Sequence, residues 1–164
     1  MSNLRQLLIT LTAIGTTGLH AQSSPLTATA AVITSLTVTG TAPLDFGTIP
    51  QGVNRNVQFN AAGSGRFRIN GLNNSQVLLT FTLPATLSNG AATLPISNYN
   101  VRVNDTNTPA SARAIVAISG IPALTNLVAG ALYVFIGARV STAPAQAFGT
   151  YTGSIVLSAA YTGL

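Results

Sequence analysis

The chain has 164 residues, enough for one domain with a buried core. Charged residues make up 5% of it, against about 25% in ordinary soluble proteins, and there is no Glu, Lys or Cys. Disulfide scaffolds and thiol chemistry are excluded. The seven arginines, at positions 5, 55, 66, 68, 102, 113 and 139, form no run of the nucleic-acid-binding kind.

The chain opens with "MSNLRQLLITLTAIGTTGLHAQSS". Arg5 gives a positive start, residues 7–19 a moderately apolar centre, and Ala21 a small residue suited to signal-peptidase cleavage. The reading is a secretory signal over 1–21, cut between Ala21 and Gln22. The segment is too short and too polar to span a bilayer as a helix. The expected organisation is then an extension over 22–33 and a β-sandwich over 34–164, with no transmembrane helix in the mature form.

The run "LTATAAVITSLTVTG", 26–40, alternates with period two. Leu26, Ala28, Ala30, Val32, Leu36 and Val38 fall on one face, and mostly Thr and Ser on the other. The next stretch, "TAPLDFGTIPQG", spells the metal-binding tripeptide of kinases at Asp45-Phe46-Gly47. A kinase also needs a strand lysine and a Gly-rich phosphate loop, and the chain has no lysine. "PLDFGTI" therefore reads as a strand, with Leu44 and Phe46 pointing one way and Asp45 toward solvent.

Further strands are expected at 53–59, 66–71, 76–83, 98–103, 113–118, 131–140 and 149–163. Turns are expected at "AAGSG", "LNNS", "LSNGA" and "NDTNTPAS". In the last strand Tyr151, Gly153, Ile155, Leu157, Ala159 and Tyr161 share a face. "LVAGALYVFIGA" reads as one buried strand. Eight or nine short strands at this spacing give an all-β fold, a sandwich or small barrel.

Removal of the signal also removes His20, the sole histidine. Without Cys or Glu the usual acid–base, nucleophilic and metal-binding sets cannot be assembled, so the protein is not expected to be an enzyme or to carry a cofactor. Asp105 sits in an Asn-rich stretch that reads as a turn ahead of a calcium site. Asn73-Asn74-Ser75 and Asn104-Asp105-Thr106 match a glycosylation sequon and read as loops. Arg66 and Arg68 flank Phe67, so a strand would put them on one face. With Arg55 they form a candidate weak ligand patch, suited to acidic polysaccharide or lipid head groups, set against the plainer reading of a solvated strand face.

Taken in order, the alternating first strand, "LDFG", "GRFRINGLNNSQVLLTFTLP", "LVAGALYVFIGARV" and "GTYTGSIVLSAAY" resemble a Gly- and Thr-rich bacterial secreted family of unknown function. That family is similar to the spore-coat-U-type pilins of archaic chaperone–usher pili. The resemblance implies an immunoglobulin-like, pilin-like antiparallel β-sandwich that lacks one strand and is completed by the N-terminal segment of another subunit. It implies Leu26, Ala28, Ala30 and Val32 as the inserted side chains and 34–40 as the subunit's own first strand. Implied partners are other copies or related subunits, with a periplasmic chaperone and usher, at a Gram-negative cell surface. Such pilins carry a disulfide starting in their first strand; here Leu36 stands in that region and the chain has no cysteine.

The leading expectation is a non-enzymatic, secreted, fimbrial-type structural subunit. The alternative is a monomeric extracellular β-sandwich that binds polysaccharide or another surface ligand. An outer-membrane barrel is a third reading, weakened by thin aromatic girdles and few long loops.

Overall fold

The computed structural model describes residues 29, 30, 32 and 34–163. Ala21, Gln22, Leu26 and Ala28, with the expected signal segment, lie outside the described residues. The chain divides into units Met1–Ala31 and Val32–Leu164, and the second is the folded domain that follows.

Ten strands form among the described residues: β1 (Thr37–Ala42), β2 (Asn54–Val57), β3 (Gly65–Asn70), β4 (Ser75–Thr82), β5 (Thr86–Asn89), β6 (Ala92–Asn104), β7 (Arg113–Ala114), β8 (Ala123–Leu127), β9 (Ala131–Ser141) and β10 (Val156–Tyr161). Every pairing between them is antiparallel. A seven-stranded sheet runs β1-β3-β9-β6-β5, with β2 also on β9 and β7 also on β6. A three-stranded sheet runs β10-β4-β8. The two face each other as a half-barrel, a predominantly antiparallel β-architecture of the sandwich type.

Period-two alternation builds the core. Ile69, Val101, Val103, Leu132, Val134 and Ile136 come from the large sheet and meet Val77, Leu79, Phe81, Leu127 and Leu157 of the small one. Beside them Phe46, Val57, Leu94, Ile96, Ala138 and Val140 form a second buried cluster. The shared face expected in the last strand is present: Ile155, Ala159 and Tyr161 pack on the first cluster and Tyr151 on the second.

β9 lies between β3 and β2 on one side and β6 on the other, so it is buried for nearly its whole length. At Gly137 its outward side has no room for a side chain. A Cβ there would sit 2.5 Å from the Val57 carbonyl oxygen and 2.6 Å from the Phe59 nitrogen, because the chain leaving β2 passes over that point. Opposite, β6 carries a bulge: Ser97 pairs with Arg139 and Asn100 with Gly137. Asn98 takes up the extra residue at φ 51°, a left-handed conformation that asparagine tolerates better than most residues. The bulge returns Tyr99 to the inner face, where it touches both core clusters.

Several expected elements differ. Residues 43–50 are not a strand, although the in–out order of Leu44, Asp45 and Phe46 holds. The Asp45 carboxylate accepts a hydrogen bond from the Gly47 N–H at 2.8 Å, and this turn, with Gly47 at φ 65°, replaces extended pairing. Among the described residues the first strand starts at Thr37, after the start expected at residue 34. "LVAGALYVFIGA" is not one strand but the end of β8, a two-residue turn at Ala129 and Gly130, and β9. The strand expected over 113–118 is two residues long, because the chain there crosses between sheets: the Gly120 N–H donates to the Phe81 carbonyl at 2.8 Å. Residues 149–155 precede the last strand without joining it.

β5 and β8 escaped the sequence reading. Pro84 follows β4 closely and marks where the chain turns from the small sheet into β5 on the large one, so the two read as a strand and a loop. In β8 the inward position between Ala123 and Leu127 is polar Thr125, which blunts the alternation. Its hydroxyl is met by a guanidinium N–H of Arg113.

Candidate functional site

An apolar groove of about 1070 Å³ opens along one side of the half-barrel. One wall is the end of β1 and the irregular stretch after it, residues 40–51, whose Leu44 and Ile49 are half-buried. The other wall is 146–153 with Ile155, carrying half-buried Tyr151 and Phe148, which is 86% exposed. The floor is the inner face of the large sheet, with Leu94 and Ile96 of β6 and Ile136 and Val140 of β9.

The groove is tied across its walls. The Gln51 amide donates to the Gln146 carbonyl at 2.6 Å, and Gln146 in turn donates to the Tyr151 hydroxyl at 2.7 Å and to the Thr93 carbonyl at 3.0 Å. Elsewhere in the domain the Tyr161 hydroxyl joins the first segment to the last strand, donating to the Thr34 carbonyl at 3.0 Å and accepting from the Leu72 N–H at 2.6 Å.

Among the described residues β1 and β10 are each a terminal strand of their sheet, and Gly40–Ala42 of β1 and Ile155, just before β10, both line the groove. An apolar channel bordered by two strand edges has the chemistry to take up an extended, alternately apolar peptide. Tyr99 lies in the neighbouring core. Burial pushes its phenol up to about 12, and its hydroxyl donates to the Pro84 carbonyl at 2.7 Å.

Of the candidate insertion residues, Ala30 and Val32 are described. Both are exposed, Val32 at 97%. Of the candidate ligand patch, Arg66 and Arg68 share the outer face of the large sheet. The Arg66 guanidinium lies 5.8 Å from the Phe135 ring centroid, and that of Arg68 lies 5.5 Å from the Tyr133 centroid. Arg55 pairs with inward-facing Val140, which puts it on the opposite face from the other two. Of the groove residues, Tyr151 and Ile155 were read as one face of the last strand, whereas Ile49 and Leu87 were not singled out from the sequence. The signal of Ile49 was an apolar side chain in a Gly- and Pro-rich stretch, and that of Leu87 was masked by Pro84 just before β5.

The titratable groups do not assemble into a reaction centre. Asp45 is held in its turn, and Asp105 is exposed in the loop after β6. Among the described residues no three His, Cys, Asp or Glu side chains come close enough to hold a metal ion. No described helix is long and apolar enough to cross a membrane.

Fold and site together define an all-β, predominantly antiparallel domain with an apolar groove. The family model of the domain of unknown function DUF4402 matches residues 54–161, from the start of β2 to the end of β10, and the chain belongs to that family. No curated protein matches the chain.

Proposed function

We propose that the protein is a secreted, pilin-like structural subunit that assembles by strand addition, with residues 26–33 of one copy entering the groove of the next. The observation that carries this reading is the open apolar groove between residues 40–51 and 146–155, bordered by two strand edges. Support comes also from the exposure of Ala30 and Val32, which leaves those members of the alternating segment free to dock elsewhere. Burial of Leu26 and Val32 contributes about 1.5–3 kcal/mol each, and the alanines less. That is a large share of the roughly 5–15 kcal/mol that holds a domain folded. Export through a signal cut after Ala21, passage across a Gram-negative periplasm and hand-over by a chaperone and usher belong to the same reading.

Deletion of residues 22–33 is expected to abolish oligomers and filaments, read by light scattering and electron microscopy, and to leave a weakly stable monomer. An unchanged assembly state refutes the reading. N-terminal sequencing of exported protein is expected to begin at Gln22.

A second reading, a monomeric extracellular binding module, is favoured by the guanidinium groups held over Phe135 and Tyr133 on the outer sheet face.

A further inference from the structure

β9 serves two sites because its side chains alternate. Ile136 and Val140 look inward to the groove, while Gly137 and Arg139 look outward. Around Arg139 the outer face holds a second concavity, of about 360 Å³, within the usual range of small-ligand clefts of about 300–1,000 Å³. Its polar lining is Asn54, Asn56, Gln58, Asn98, Asn100 and Arg139.

This is an unusual lining for paired strands, where asparagine is normally depleted. Asn56 is directly opposite Arg139 on one side, and Ser97 on the other. The bulge in β6 brings both Asn98 and Asn100 to the cleft, with Asn98 held at φ 51°. The missing Cβ at Gly137 lets the 57–59 backbone close over the sheet and set Gln58 as a wall. Asn54, Asn56, Gln58 and Asn98 are exposed, and Asn100 and Arg139 half-buried, so the amides face solvent around one partly shielded cation. No carboxylate lines the cleft.

A single guanidinium ringed by amides matches one chemistry closely. The planar fork of arginine takes a carboxylate in two parallel hydrogen bonds. Amides both donate and accept, which suits the adjacent hydroxyls of a sugar ring. We propose that this cleft binds an acidic saccharide, with Arg139 on the uronate carboxylate and the five amides on the hydroxyls around it. The cleft is on the face opposite the groove, so it operates whether or not strands are exchanged.

Isothermal titration of the full chain with tetragalacturonate tests the assignment. Saturable binding is expected, with maltotetraose silent. Arg139→Gln is expected to weaken binding about tenfold or more, since it leaves the carboxylate without its charged partner. Asn98→Gly keeps the left-handed backbone but removes an amide, and is expected to weaken it several-fold. Arg55→Gln, on the other face of the sheet, is expected to leave binding unchanged. Circular dichroism confirms that each variant is folded, and Asn98→Gly carries the test alone if Arg139→Gln unfolds. Failure of the unchanged chain to bind at millimolar tetragalacturonate overturns the proposal. So does equal binding of maltotetraose, binding that the folded cleft variants leave intact, or capture by phosphatidylglycerol vesicles in place of the saccharide.

Discussion

Tyr99 sits where the bulge of β6 meets both core clusters, and its phenol is the group whose titration folding alters most clearly. Burial favours the neutral form and raises its pKa from 10.0 to about 12. The sign follows: the folded state holds the proton more tightly than the unfolded chain. This contribution to stability is whole below about pH 10 and is lost as pH rises toward 12. Tyr99→Phe removes that dependence together with the hydrogen bond to Pro84, a loss of about 0.5–1.5 kcal/mol at neutral pH. Urea unfolding at pH 8.5 and 11.5 should show the unchanged protein ahead at the lower pH and the gap to Tyr99→Phe narrowing at the higher. A constant gap contradicts the assignment. Asp45 makes the complementary point: in a tripeptide famous for metal chemistry, its carboxylate serves a turn by binding the Gly47 N–H.

The β8–β9 connection, which passes from the small sheet to the large one, shows how element boundaries depend on single positions. Its two-residue turn places Ala129 at φ 52° and Gly130 at φ 73°, and the Ala131 N–H closes it on the Val128 carbonyl at 3.2 Å. Two positive φ angles make the turn type that favours Asn-Gly. Alanine in that first position is strained by about 1–2 kcal/mol, because its Cβ crowds the carbonyl. Ala129→Asn is therefore expected to stabilise the domain by up to about 1 kcal/mol, read as a higher urea midpoint at unchanged slope. An unchanged or lower midpoint counts against a strained turn. The same turn explains a limit of the sequence. Ala-Gly inside an apolar run carries none of the usual turn chemistry, so β8 and β9 read as one strand. Where the flanking signals were strong, as at "AAGSG" and "LNNS", turns and strands were legible, whereas "LSNGA" turned out to hold the end of β5 ahead of its turn. Thr125 and Pro84 hid β8 and β5 by breaking the local pattern for reasons that only tertiary packing supplies. The groove was half legible: the alternating segment that could fill it was plain, but its walls were read as regular strands over 43–49 and 149–155, where the chain is irregular. The amide cleft was invisible, since its residues come from β2, β6 and β9 and meet only through sheet order and a bulge.

At the scale of the whole molecule, the half-barrel is closed by hydrogen bonds around Gln51 and Gln146 and by the Tyr161 tie, and between them it presents apolar side chains to solvent. Among the described residues the groove keeps apolar side chains in contact with solvent, and β1 and β10 are terminal strands beside it. Low charge removes a barrier to contact between copies. Filling the groove should therefore act as ligand binding does, raising stability by mass action, by about 2.7 kcal/mol at a hundredfold excess over Kd. A chain lacking residues 22–33 provides the empty acceptor. Added peptide spanning residues 24–35 should raise its Tm in a concentration-dependent way, while the same peptide carrying Val32→Asp should not, because a carboxylate would have to be desolvated against Leu94, Ile96 and Val140. Ile155→Asp in the acceptor should abolish the response to the unchanged peptide. A Tm indifferent to peptide, or one raised equally by the Val32→Asp form, would mean that the groove is not a strand acceptor. If instead the intact chain pairs the segment within itself, its Tm will be independent of protein concentration, whereas exchange between copies makes Tm climb as the protein is concentrated.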